Sequence, residues 1–83
     1  MKIPDNPRHH VEVAFNSVSL INETLSLTGK TIEEKINIIR ANKGHLQVMM
    51  KHDWFVSSLI NEEGSQIQNC IADSNSFINS NNG

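Results

Sequence analysis

The apolar positions between residues 7 and 28 recur every three or four residues, and this spacing predicts a first helix. Asn6 and Pro7 favour a helix start here, because Asn caps orphaned backbone donors and Pro needs no N–H at the first helical position. Gly29 stands where a left-handed helix end is expected. The predicted buried face consists of Val11, Ala14, Val18, Ile21 and Leu25, flanked by Phe15.

A second helix is predicted from residue 31 to residue 53. Thr31 and Glu34 are spaced as a capping box, in which the two side chains satisfy two backbone donors at a helix N-terminus. The apolar face then comprises Ile32, Ile36, Ile39, Leu46 and Met50, with Met49 beside it.

Lys43 and Gly44 interrupt the apolar face of this second helix. A glycine inside a helix costs roughly 1 kcal/mol relative to alanine. Either the helix breaks near Asn42, or Gly44 lets another backbone approach closely. The apolar phase is the same on both sides of the interruption, which favours a continuous helix.

Residues 54–64 mix apolar and polar positions without a clear period, and an extension of the second helix, a separate turn and a loop all fit. We predict a packed connection. Ser65 and Gln68 then form a second capping box, which predicts a third helix over 65–79. Its apolar face contains Ile67, Ile71, Ser74 and Ile78, with Cys70 and Phe77 alongside. We expect the polar residues 80–83 to fray unless another chain holds them.

The short connection at Gly29 and Lys30 predicts an antiparallel hairpin of the first two helices. The sequence therefore predicts one all-α domain over residues 1–83, with three helices arranged as a helical hairpin plus a third helix. A chain of 83 residues with 37% apolar and 5% aromatic residues has a small core. Association with further copies would compensate, so we expect an oligomer.

Composition limits the possible partners and compartments. The net charge is −2 and the basic residues are scattered, so we expect no nucleic-acid binding. Cys70 is the single cysteine, so no internal disulfide forms. The sequence has neither the apolar run of a signal peptide nor that of a membrane span, and we expect an intracellular, soluble protein that binds no membrane.

Four histidines raise the possibility of a metal site. The adjacent His9 and His10 would point about 100° apart on a helix, and His45 and His52 lie two turns apart. Neither pair has the spacing of a zinc site, so we predict no metal or cofactor.

His52 and Asp53 together with Cys70 could form a thiol nucleophile with its base. Cys70 lies on the predicted apolar face, however, where a free cysteine usually packs as a small hydrophobe. We therefore predict no catalytic residue and no enzymatic activity.

The most distinctive apolar cluster lies after the middle of the chain. Core packing is the default for methionine and aromatic residues, but three helices cannot easily bury all of them, and such residues are also enriched at adaptable interfaces. We predict that part of this cluster contacts another chain. The cluster comprises Met49, Met50, Trp54, Phe55, Val56, Leu59 and Ile60.

About half of the chain resembles a group of short helical proteins of tailed bacteriophages, including those of marine hosts and cyanophages. The similar members share an Asn-x-x-His-Leu core, a Lys-Asp-aromatic cluster and a short Ile-x-x-x-Ile helix. The corresponding positions here are Thr31 to Ile36, Ile39, Asn42, Gly44 to Leu46, Met49, Lys51, Asp53, Trp54, and Ile67 to Ile78. This chain differs in having His52 before Asp53 and several extra residues between Trp54 and Ser65.

The resemblance implies a phage origin. Our leading hypothesis is a virion structural or accessory component, for example of the tail or neck, which acts through contacts with itself or with other phage or host proteins. The alternative is an anti-defence or host-takeover protein, found in the host cytoplasm, that binds a host enzyme or a signalling nucleotide. A nucleotide would need convergent cations. The candidates are Arg8, Arg40, Lys43 and Lys51.

Overall fold

The computed structural model describes residues 3–81, and within that range the chain forms four helices and no strand. The prediction of an all-α fold is confirmed, but the number of helices is four, because a short helix lies in the predicted packed connection. The helices are α1 (Pro7–Ser26), α2 (Ile32–Met49), α3 (Asp53–Ser58) and α4 (Glu63–Asn81).

Helix α1 begins at Pro7, as predicted, and ends at Ser26, two residues before the predicted end at residue 28. The backbone oxygen of Asn6 accepts a hydrogen bond from the N–H of His9, but the Asn6 side chain makes no capping bond. Leu27 is already extended, so Gly29 lies in the connection rather than at the helix end. Its φ of +93° gives the chain the left-handed turn into α2.

Helix α2 begins with the predicted capping box. The Glu34 N–H donates to Thr31 Oγ1 at 3.1 Å, and the Thr31 N–H donates to Glu34 Oε1 at 3.2 Å. The Thr31 N–H and the Thr31 hydroxyl both donate to Glu34 Oε1, and these two bonds lower the pKa of Glu34 because they favour its carboxylate form. The start of the helix is therefore determined by local sequence.

The predicted second helix extends to residue 53, but α2 ends at Met49. Beyond Met49 the backbone bonds tighten to a three-residue spacing, from Lys51 N–H to Val48 O and from His52 N–H to Met49 O. His52 is then extended, and Asp53 begins α3. The chain turns here because Phe55 has to reach the core, which a straight continuation of α2 would not allow.

Helix α2 runs without a break through Gly44. A Cβ placed on Gly44 would meet no atom within 4 Å. The prediction of a continuous helix agrees with this, and the close approach of another backbone that Gly44 could permit is not seen within residues 3–81.

Helix α4 begins at Glu63 rather than at the predicted Ser65, and it extends to Asn81 rather than to residue 79. Glu63 Oε1 accepts the N–H of Ile60 at 2.8 Å, three residues earlier. This carboxylate therefore marks the helix start, and Ser65 becomes an ordinary exposed residue. At the other end Asn81 Nδ2 donates to Phe77 O. Residues 82–83 of the tail expected to fray lie outside the described residues.

The core lies where α1, α2 and α4 meet, and α3 packs against α1. The predicted faces of α1 and α4 are confirmed, with Leu25 and Phe77 half-buried. On α2, Ile32 is exposed instead of buried, because it lies in the first turn, at one end of the bundle. The buried apolar residues are Val11, Ala14, Val18, Ile21, Ile39, Leu46, Met49, Phe55, Ile67, Cys70, Ile71 and Ile78.

Lys43 occupies the position in α2 where the apolar spacing is interrupted. Its Nζ donates to Asn75 Oδ1 on α4 at 2.9 Å. The interruption of the apolar spacing is therefore a polar link between two packed helices. The Lys43 ammonium has a hydrogen-bond acceptor on α4, although Lys43 lies in line with the apolar residues of α2.

Gly44→Ala should stabilise the protein. The position is helical and its surroundings are open, so alanine removes chain entropy from the unfolded state without a clash, for a gain of about 0.5–1 kcal/mol. Thermal denaturation should show a rise in Tm of several degrees. Gly29→Ala is the control, since its positive φ disfavours a side chain and should lower Tm. A lower Tm for Gly44→Ala would show that the helix needs flexibility at this point.

Candidate protein-contact surface

The short helix α3 is held in place mainly by one side chain. Six residues are too few for an independently stable helix, so tertiary packing has to supply its stability. Phe55 is completely buried in the core. The opposite side of α3 therefore faces outward in a fixed orientation.

Trp54 packs beside Phe55 in a small aromatic cluster. The two rings are nearly perpendicular, with centroids 6.2 Å apart. The His52 ring stacks on Trp54 and the His10 ring meets it edge-on, both at 5.2 Å between centroids. Such contacts typically contribute about 0.5–1.5 kcal/mol each. The cluster joins the α2–α3 turn to the start of α1.

A second anchor joins the start of α1 to the start of α4. The Arg8 guanidinium donates two hydrogen bonds to the Glu63 carboxylate, at 2.7 and 2.9 Å, and a third to the backbone oxygen of Ser58 at 2.8 Å. The paired geometry matches the planar fork of arginine to the carboxylate. Arg8 thus fixes both the end of α3 and the turn that follows it.

The three hydrogen bonds that Arg8 donates to Glu63 and Ser58, here called the Arg8 clamp, change the ionisation of Glu63. The hydrogen bonds from Arg8, followed by that from the Ile60 N–H, lower the pKa of Glu63 from 4.5 to about 2. Reciprocally, the bond to Glu63 raises the pKa of Arg8. Glu63 is therefore a carboxylate throughout the neutral and mildly acidic range.

Between the end of α2, α3 and α4 lies an open trough made of two adjoining grooves that share Met50 and Gln68. The first, of about 460 Å³, is also lined by Val56 and Leu59. The second, of about 340 Å³, is also lined by Lys51 and Ile71. Asn61, Gly64, Ser65 and Asn69 complete the first groove, and Gln47 completes the second.

The structure divides the predicted interaction cluster into inward and outward members. Phe55 and Met49 belong to the core, while the side chains of Met50, Trp54 and Leu59 are half-buried against it. Val56 is 43% exposed and Ile60 is 54% exposed. Of the outward members, Val56 lines the trough together with Met50 and Leu59, whereas Ile60 lines neither of its two grooves.

Sequence reasoning missed the contribution of α4 to this trough. Gln68 and Ile71 line it although neither belongs to the predicted cluster. The sequence offered no signal for them, because Ile71 follows the core spacing and Gln68 looks like an ordinary exposed helix residue. Exposed apolar side chains away from the trough were also missed, namely Ile3, Val13, Leu20 and Val48.

The histidines and the cysteine do not form a common site. His52 stacks on Trp54, whereas Cys70 lines a groove between α1 and α4 with Phe15 and Val18. Burial raises the pKa of the Cys70 thiol, as does the nearby charge of Asp73, which disfavours a thiolate. Within residues 3–81, no group of three or more His, Cys, Asp or Glu side chains could hold a metal ion.

The four cations considered for a nucleotide site are dispersed. Arg8 binds Glu63 and Lys43 binds Asn75. Arg40 lines a groove between α2 and the end of α4, and Lys51 lies at the trough.

No protein-family model matches the chain, and no curated protein or solved structure shows significant similarity to it. None of the helices in the described range is both long and apolar enough to cross a membrane.

Phe55→Ala should be strongly destabilising, whereas Val56→Ala should not. Removing a fully buried phenylalanine leaves a cavity and typically costs about 3–5 kcal/mol. That is a large part of the stability of a small domain, which is about 0.05–0.15 kcal/mol per residue. Val56 is exposed, so truncating it should change stability by less than about 0.5 kcal/mol. Urea denaturation measures both, and equal costs would contradict the division of the cluster.

The ion pair of Glu63 predicts a specific acid sensitivity. Its pKa is lowered in the folded state, so its contribution to stability is present above pH 4.5 and disappears as the pH falls towards 2. Denaturation between these pH values should show a steeper loss of stability for the natural protein than for Glu63→Gln. In NMR titrations Arg8→Gln should return the pKa of Glu63 towards its ordinary value. An unchanged Glu63 titration in Arg8→Gln would refute the clamp.

Proposed function

We propose that this chain works by binding other proteins through the trough between α2, α3 and α4. The observation that carries the proposal is the exposure of Val56 in an open trough whose wall also contains Met50 and Leu59. Protein-binding sites combine such an apolar centre with a polar border. The border here consists of Gln47, Lys51, Asn61, Ser65, Gln68 and Asn69.

The rigid mounting of these side chains supports the proposal. Phe55 fixes α3 from the inside, and Arg8 binds both Ser58 and Glu63 on either side of the exposed turn. A surface held in one conformation loses little entropy when a partner binds. The trough therefore meets the physical requirements of a docking surface.

The biological setting that we propose is a bacteriophage particle, in which this chain is a structural or accessory component of the tail or neck. The resemblance of residues 31–54 and 67–78 to short phage proteins motivates this setting. Small domains that act by contact need neither a cofactor nor an enclosed cleft, and the grooves of this trough are open.

The decisive measurement is quantitative mass spectrometry of gradient-purified particles from the source phage, with the major capsid protein as the reference. A fixed, integral copy number per particle is the expected result. Absence from particles, with the protein present in infected cells, would refute the virion role and favour a host-directed one.

Val56→Asp should abolish incorporation into particles. A carboxylate on the apolar wall of a contact surface must be desolvated without a partner, which costs several kcal/mol. The matched control is Leu20→Asp, which places the same charge on an exposed leucine of α1 outside the trough. Both variants should stay folded by circular dichroism. If the two variants are incorporated equally, the trough is not the contact surface.

A further inference from the structure

We draw no further inference here: the strongest candidate, the open trough between α2, α3 and α4, belongs to the surface on which the proposed function already rests, and nothing in the structure shows what covers it.

Discussion

The structure depends on the burial of Phe55. To bring this ring into the core, the chain leaves the α2 helix after Met49, turns through His52 and restarts as α3. The same turn places Trp54 against His10 and His52 and leaves Val56 pointing outward. A single hydrophobic requirement thus determines where a helix ends, how the next one is oriented and which side chains remain on the surface.

Polar contacts add directional constraints to the packing of the apolar core. Arg8 binds the backbone oxygen of Ser58 and the carboxylate of Glu63, and this carboxylate also accepts the N–H of Ile60. The ion pair of Arg8 and Glu63 therefore holds the backbone on both sides of the exposed turn. Lys43 and Asn75 link α2 to α4 on the other side of the bundle. Because these bonds are directional, they select one alignment of the helices among the many that an apolar seam alone would permit.

The sequence predicted the elements whose signals are local. The Thr31 capping box, Pro7 at the start of α1 and the apolar spacing of α1 and α4 all reappear in the structure, because each depends on residues within a few positions of one another. The predicted end of α2, at residue 53, was wrong. The preference of residues 50–53 for helix is overridden by the packing of Phe55 in the core, which is a contact with residues distant in the sequence. Of the two contacts that Glu63 makes at the start of α4, the bond from the Ile60 N–H is local, but the ion pair is not. Glu63 is held by Arg8 from 55 residues away, and no local pattern reveals such a partner.

The sequence separation between Arg8 and Glu63 also bears on the order of events during folding. Contacts between α1 and α2 close short loops and can form early, whereas a contact that spans 55 residues pays a larger entropic cost and needs most of the chain to be present. The Arg8 clamp, which holds the exposed turn, therefore forms late in folding. A growing or partly folded chain lacks the trough in its final form, so the binding that we propose for it requires a fully folded molecule.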